Sequence, residues 1–577
     1  MKKLFFGNEA VARGLWEAGC SVVSSYPGTP STEITEYFAK YDDVYAEWAP
    51  NEKVALEVAF GASLRGARAA CAMKHVGLNV AADPLFTLSY TGVGGGLVIC
   101  VADDPAMHSS QNEQDSRHYA IGAKVPMLEP SDSAEALEFA RAAFELSEEF
   151  DTPVLLRMCT RIAHSRSLAI PGEKSAREMP VYTRDPQKYV MVPANAKQRH
   201  PIVEERTRKL REYGASCAFN KTFPGKSHEC GIITSGASYQ YVREALGESY
   251  PILKLGLVNS LPDVLLCAFA GSVGRVIVVE ELDGVIEDHC RALGIKCEGK
   301  SLFPPIGELS GQTVAKAFGV PMPETIELPD IAAPARPPQM CAGCPHRGLF
   351  YVLSKNKIRC LGDIGCYTLG AQPPLSALDS TLCMGGSVSG LHGFIKADPE
   401  SSENTVCVIG DSTFMHSGMT GLCDIAYNGS NATVIILDNS ITGMTGHQQN
   451  PTTGKNIKGD PATKIDLEAL CHALGITRVR VVDPYNLAEC EAAVKEELSA
   501  DCPSVIISRR PCILLKDVKR GEPLAVDADK CRSCKACMKL GCPAISIKGK
   551  VCTIDPLLCT GCGLCESLCR FDAISKR

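Results

Sequence analysis

Nowhere in its 577 residues does the sequence hold an unbroken apolar run of the roughly 18–20 residues that a membrane-spanning helix needs. An excess of one charge is also missing. Lys and Arg number 59 against 66 Asp and Glu, a formal net charge of -7, which gives no reason to expect nucleic acid or a membrane surface as partner. The opening Met1-Lys2-Lys3-Leu4-Phe5-Phe6 loses its apolar character at Gly7-Asn8-Glu9, too soon for a secretory signal. These absences predict a cytoplasmic chain. Its 45% hydrophobic and 22% charged residues are ordinary globular values and exclude a mainly disordered protein. The length predicts roughly three to five domains.

Cysteine, by contrast, is abundant. With no export signal, 29 cysteines point to metal or cluster ligation in a reducing compartment rather than to a disulfide framework. Such a thiol load would oxidise readily in air, so an anaerobic host is expected. Several cysteines lie in apolar segments (Cys71, Cys100, Cys267, Cys407, Cys423) and read as small core residues. Nine fall in the last 50 residues, inside an internal duplication. Val526-Asp527 precedes Cys531 as Ile554-Asp555 precedes Cys559, and each half closes on Ala-Ile-Ser. The spacings are Cys531-x2-Cys534-x2-Cys537-x4-Cys542-Pro543 and Cys559-x2-Cys562-x2-Cys565-x3-Cys569.

In such a run three close thiolates hold one face of a [4Fe–4S] cube, and the fourth, remote cysteine ligates the other cluster. Cys531, Cys534, Cys537 and Cys569 are therefore assigned to one cluster, and Cys559, Cys562, Cys565 and Cys542 to a second. Structural zinc sites use separated pairs instead. Cys552 falls outside the repeat and reads as packing. The first half has four residues where the usual bacterial run has three, and Arg570 stands where proline usually follows the last cysteine.

A second signal lies in residues 406–442. The apolar run Val406-Cys407-Val408-Ile409 leads into Gly410-Asp411-Ser412, and Val434-Ile435-Ile436-Leu437 into Asp438-Asn439-Ser440. Parallel strands of a doubly wound sheet deliver their ends to one edge, where helix N-termini and loops collect phosphate. Asp411, the Asn439 carboxamide and the Ile441 carbonyl form an oxygen set suited to Mg²⁺ on a diphosphate, with Gly410, Ser412 and Thr442 in the surrounding loops. This resembles the Gly-Asp-x…Asn signature of thiamine diphosphate enzymes, although the third residue, usually Gly, is Ser412. Two buried strands with polar ends are the plain alternative.

The fold class expected is multidomain α/β, several doubly wound parallel-sheet domains followed by a ferredoxin-like α+β domain. Residues 1–175 read as a pyrimidine-binding domain. In it, strand-like runs at residues 21–25, 96–101 and 153–158 alternate with helices at 52–65 and 133–146. Residues 176–228 read as an extended connection or subunit-clasping arm, and 229–325 as a third α/β unit. The Gly231…Gly236 turn of that unit lacks the Lys-Ser/Thr of a phosphate loop. Residues 326–338 form a Pro-rich linker, 339–515 the diphosphate domain and 520–577 the cysteine tail. The loop Tyr26-Pro27-Gly28-Thr29-Pro30-Ser31-Thr32 reads equally well as a proline-stiffened turn or a substrate loop. Glu52 opens a helix, where a carboxylate is ordinarily a dipole partner. In thiamine enzymes, however, one glutamate must face N1′ of the aminopyrimidine, and Glu52 is placed for that part.

A thiamine fold joined to a two-cluster module points to oxidative decarboxylation of a 2-oxo acid. The ylid adds to the keto carbon, CO₂ leaves, and the enamine releases two electrons singly, which clusters can carry. The chain resembles the large, alpha subunit of the indolepyruvate ferredoxin oxidoreductases, within the thiamine diphosphate-dependent 2-oxoacid:ferredoxin oxidoreductases. The motifs are Tyr26–Thr32, Asn51-Glu52, Met73-Lys74-His75-Val76-Gly77-Leu78-Asn79, Cys344-Pro345-His346-Arg347, Gly410-Asp411-Ser412 and the irregular Cys-x4-Cys-Pro. The resemblance implies conversion of indolepyruvate and other arylpyruvates to arylacetyl-CoA, CO₂ and reduced ferredoxin. It also implies thiamine diphosphate, Mg²⁺, two [4Fe–4S] clusters and a small beta subunit in an α2β2 assembly, with Thr29 at the substrate carboxylate. Alternatives are a pyruvate or branched-chain 2-oxoacid:ferredoxin oxidoreductase, differing only in the acyl pocket, and a non-oxidative thiamine decarboxylase, which would have no use for the tail. A bare electron-transfer scaffold would leave Asp411 and Asn439 unexplained. In pyruvate relatives a Cys-x-x-Cys pair, a Gly-Cys turn and a late cysteine bind a further cluster. Those positions match Cys341, Cys344, Cys366 and Cys512 here, whereas the indolepyruvate pattern implies the tail clusters alone.

Overall fold

The computed structural model describes residues 1–321 and 337–576, so most of the expected Pro-rich linker, with Pro329 and Pro334, lies outside the described residues. Two compact units divide the chain, Met1–Leu328 and Pro329–Arg577. Among the described residues no helix is long and apolar enough to cross a membrane.

The first unit holds two α/β sheets. Its larger sheet runs in the order Leu257–Asn259, Met127–Leu128, Val154–Cys159, Leu97–Asp103, Ala69–Lys74, Val22–Ser25, Tyr45–Trp48. All neighbours are parallel except the first pair. Its strands are almost wholly buried, as expected where helices cover both faces. Asn51 caps the helix Glu52–Arg65 by accepting from the Val54 N–H, and Gly66, at φ 104°, ends it in the left-handed conformation that glycine adopts without cost. The second sheet is Cys297–Glu298, Val276–Val279, Gly231–Ser235, Ile252–Leu255, Lys221–Phe223, the last strand antiparallel.

Two expectations are corrected here. Residues 176–228 are not an extended arm throughout, because Pro193–Gly214 is a 22-residue helix. Its buried positions are Val203, Arg206, Leu210 and Gly214, spaced at helical intervals, and Arg208 pairs with Glu205 and Glu212 on its exposed side. Nor is 229–325 self-contained. Leu257–Asn259 completes the edge of the larger sheet, and Ile99 and Leu155 share one core with Ile233, Leu253 and Val278.

The second unit is built on five parallel strands in the order Arg359–Leu361, Thr405–Gly410, Thr433–Asp438, Ser504–Arg509, Arg478–Val482. Side chains alternate between two cores: Val406, Val408, Ile435 and Leu437 on one face, Cys407, Ile409, Val434 and Ile436 on the other. The tail adds two antiparallel pairs, Leu524–Val526 with Ile574–Lys576 and Ile545–Lys548 with Val551–Ile554. Their small core packs against Tyr351, Tyr485 and Leu487. Of the cysteines expected in cores, Cys71, Cys100 and Cys407 are buried, whereas Cys267 and Cys423 are exposed. Both lie on amphipathic helices whose inner faces are taken by Leu266 and Phe269 in one case and by Leu422 and Ile425 in the other.

Candidate functional site

Adjacent parallel strands in register, Gly410 opposite Leu437, bring Asp411 and Asn439 to one sheet edge. Asp411 is buried and accepts from Thr452 Oγ1 at 2.8 Å and from Asn450 Nδ2 at 3.4 Å. Burial, and secondarily the neighbouring Asp438, push its carboxyl up to about 7. A carboxylate so short of positive charge fits a divalent cation. The Asn439 carboxamide, also buried, accepts from the Ile441 N–H, and its nitrogen lies 3.4 Å from Nε2 of His346, which burial pushes down to about 4. Ser412 is accommodated rather than strained: its Oγ accepts from Thr442 Oγ1 at 2.9 Å, and Thr442 Oγ1 accepts in turn from Asn450. At Gly410 a Cβ would meet the Tyr367 ring at 2.7 Å, so that position of the signature has a packing reason to be glycine. The sequence reading missed Asn450 and Thr452, and quoted His346 only within a motif, without a role. All three are far from Asp411 in sequence, and loop residues 450 and 452 carry no periodic signal.

Around this edge, Asp363 accepts from the N–H groups of Ile364, Gly385 and Ser387 and so anchors the start of the helix Gly386–Ala397. Four thiols gather nearby. Burial drives Cys344 up to about 12 and Cys366 up to about 11, and each shift is increased by other thiols of the set, Cys341 in both cases. Cys512 is likewise raised by burial and by Cys341, and its N–H donates to the Asn439 carbonyl.

In the first unit, Glu52 is buried at the start of its helix. A Cβ on Gly77 would lie 2.6 Å from Glu52 Oε1, so the carboxyl occupies space that only glycine leaves open. Lys74, its ammonium held down by burial, donates to the Ser109 carbonyl, and its side chain covers Gly28. Thr29 is half-buried in the same loop, its carbonyl accepting from Ser109 Oγ at 3.2 Å.

The tail shows its duplication in its hydrogen bonds. The Cys531 N–H donates to the Asp527 carbonyl and the Cys559 N–H to that of Asp555, while the Asp527 and Asp555 carboxylates accept from the N–H two residues on. Cys531, Cys534, Cys537 and Cys569 line one cavity, and Cys552 Sγ reaches it 3.7 Å from Cys537 Sγ. Cys542, Cys559, Cys562 and Cys565 form a second group, in which burial and mutual thiolate repulsion push Cys565 up to about 12. Backbone N–H groups already point at sulfur, Leu524 to Cys559 and Ala573 to Cys569. In residue type and number each set suits a four-iron cluster, although among the described residues no three ligating side chains are already drawn together as a metal site.

Three family models match: "Pyruvate flavodoxin/ferredoxin oxidoreductase, thiamine diP-bdg" over residues 13–215, "Thiamine pyrophosphate enzyme, C-terminal TPP binding domain" over 363–508, and "4Fe-4S binding domain" over 552–575. Indolepyruvate oxidoreductase subunit IorA of Pyrococcus horikoshii is 40% identical over 100% of this chain and 97% of its own length. The same-named subunit of Methanothermobacter thermautotrophicus is 41% identical over 99% and 97%. More distantly, 2-oxoglutarate synthase subunit KorA of the latter organism is 30% identical over 30% of this chain and 48% of its own. The chain therefore belongs to the IorA family of indolepyruvate oxidoreductase subunits.

Proposed function

We propose that this chain is the large subunit of an enzyme that oxidatively decarboxylates arylpyruvates, indole-3-pyruvate foremost and phenylpyruvate and 4-hydroxyphenylpyruvate besides. One 2-oxo acid, one CoA and two oxidised ferredoxins give one arylacetyl-CoA, one CO₂, two reduced ferredoxins and a proton. The observation that carries the reading is the presence in one IorA-family chain of a buried, charge-starved Asp411 at a thiamine-type sheet edge and of two four-cysteine sets in the tail.

Bound thiamine diphosphate supplies a nucleophilic carbon and a temporary store for the electron pair left when CO₂ departs. Asp411, the Asn439 carboxamide and the Ile441 carbonyl hold Mg²⁺ on the diphosphate, and Gly410, Ser412 and Thr442 shape the loops around it. Glu52 exchanges a proton with N1′ of the pyrimidine. Thr29 contacts the substrate carboxylate. Cys531, Cys534, Cys537 and Cys569 hold one [4Fe–4S] cluster and Cys559, Cys562, Cys565 and Cys542 the other, so that electrons leave singly. A small beta subunit completes the enzyme, in an α2β2 assembly.

The test is anaerobic viologen reduction by the co-expressed two-subunit enzyme with indolepyruvate, phenylpyruvate, pyruvate and 2-oxoisovalerate, each with and without CoA. The expected result is CoA-dependent reduction with the highest kcat/KM for indolepyruvate. Preference for pyruvate or 2-oxoisovalerate would move the chain to another substrate class. CO₂ release without viologen reduction would make it a non-oxidative decarboxylase.

A further inference from the structure

The two halves of the tail share a cysteine pattern but not a charge pattern. Where the first half has Lys530, Arg532, Lys535 and Lys539 around its cysteine triplet, the second has Leu558, Thr560, Gly563 and Ser567. Residues 520–577 carry ten Lys and Arg against six Asp and Glu, in a chain whose net charge is -7.

The neutral half packs onto the diphosphate domain through its cysteine triplet, whereas the first half touches that domain at its far end, where the Leu540 carbonyl accepts from Arg347 and Gly541 lies against Pro374. Thr560 is buried with its Oγ1 in the space a Cβ on Gly343 would fill, and Tyr485, whose hydroxyl donates to the Gly343 carbonyl, lies near both Cys344 and Cys562. The charged side chains of the first half face solvent. Lys530, Arg532, Cys534 and Lys535 are exposed, and Arg532, Lys535 and the exposed Phe571 line the cavity bounded by Cys531, Cys534, Cys537 and Cys569. Exposed Lys548 and Lys550 ride on the hairpin that brings Cys552 to that cavity, and Arg570 flanks Phe571. Among acidic neighbours, Asp529 and Asp572 are exposed, and Asp527 lies 3.8 Å from the Lys530 ammonium.

Taking the chain as the ferredoxin-reducing subunit described above, we infer that this cationic collar, with Phe571 at its centre, is the docking surface for an acidic one-electron carrier protein. An exposed aromatic inside a predominantly cationic rim is the form of a transient electrostatic interface. Complementary charge speeds association and sets orientation, and salt weakens it. A carrier seated here would meet the cluster cavity through the side chains that line it.

The experiment uses the full two-subunit enzyme and an acidic 2[4Fe–4S] ferredoxin as the probe. Lys530→Glu/Lys548→Glu/Lys550→Glu reverses three exposed charges that do not line the cavity, and Arg532→Gln/Lys535→Gln neutralises two that do. Binding is measured directly, at low and high salt, together with reduction of metronidazole, a small acceptor without net charge. The expected result is a 10- to 100-fold loss of ferredoxin affinity at low salt and a flattened salt dependence for the triple variant. A smaller loss is expected for the double, with iron content and metronidazole reduction unchanged in the triple variant. The inference is overturned if both variants bind ferredoxin as the parent does, if the parent does not bind it, or if Lys197→Glu/Lys209→Glu/Lys226→Glu, in the first unit, costs as much. Ferredoxin binding with no 2-oxo acid turnover would instead overturn the proposed function and leave the docking surface standing.

Discussion

Glu52 and Gly77 form a pair in which a catalytic proposal becomes a packing statement. The carboxyl lies where a Gly77 Cβ would be, 2.6 Å from Oε1 and 2.7 Å from Cγ, so its position is set by an absent side chain. Glu52→Gln keeps the shape and removes the proton-transfer group. Turnover is expected to fall by ~10²–10⁴-fold, the range typical of general acid–base groups, with iron and bound thiamine diphosphate retained; near-parental turnover would remove Glu52 from its role. Gly77→Ala should displace the same carboxyl and lower kcat by a comparable factor while Glu52 itself is intact. If kcat were unchanged in Gly77→Ala, the carboxyl position would not matter. Asp411→Ala is expected to lose thiamine diphosphate in metal-free buffer far faster than the parent, with an unaltered iron spectrum, because the neighbouring carboxylate, Asp438, is already paired with Arg509 at 2.8 Å. Equal retention of the cofactor would refute the Mg²⁺ assignment. Glu52 and Asp411 stood out because one opens an apolar helix and the other follows an apolar strand. The pairing of Gly77 with Glu52, and Asn450 and Thr452 altogether, did not, since their partners lie 25, 39 and 41 residues away.

At the scale of elements, the strands and helices of the parallel sheets fell where apolar runs and caps pointed, because a strand buried on both faces must be apolar along its whole length. The helix Pro193–Gly214 was hidden for the opposite reason. Its inward positions include an arginine and a glycine, and Pro201 interrupts it, so the 3.6-residue period is present in Val203, Arg206, Leu210 and Gly214 without being apolar. Arg206 does the work a leucine would ordinarily do, donating to the carbonyls of Ser89 at 2.8 Å and Asp151 at 3.0 Å and to Ser89 Oγ at 2.9 Å. Arg206→Ala would strand these acceptors and cost about 2 kcal/mol of local stability, since hydrogen bonds to charged groups contribute more than neutral ones. Amide exchange in residues 193–214 should accelerate by ~10-fold or more while exchange in the second unit is unchanged. Unaltered exchange would show that the helix is held by its apolar contacts alone. The strand Leu257–Asn259 escaped the sequence reading because its partner, Met127–Leu128, is two residues long and over a hundred positions away, a pairing no local pattern encodes.

For the whole molecule the deciding quantity is iron. On the proposed assignment, the two four-cysteine sets of the tail account for about eight irons per chain. The second unit gathers four more thiols, Cys341, Cys344, Cys366 and Cys512, from a turn, a short helix and the segment after the last strand of its sheet, beside the loop that carries Asn439. Isolated buried cysteines, such as Cys71 in the first sheet, need no explanation beyond packing. A group of four is different, because burial and neighbouring thiols raise the cost of ionising Cys344, Cys366 and Cys512, and a cluster would offset that cost. A Cβ on Gly443 would lie 3.3 Å from Cys366 Sγ, so the diphosphate-side loop runs close against this group. The two tail sets alone predict about eight irons on anaerobically prepared chain; a count of about twelve, falling to about eight in Cys366→Ser/Cys512→Ser with the tail clusters intact, would add a cluster on these four. A parent count of about eight, or a variant count equal to the parent's, would reduce these four cysteines to a structural role.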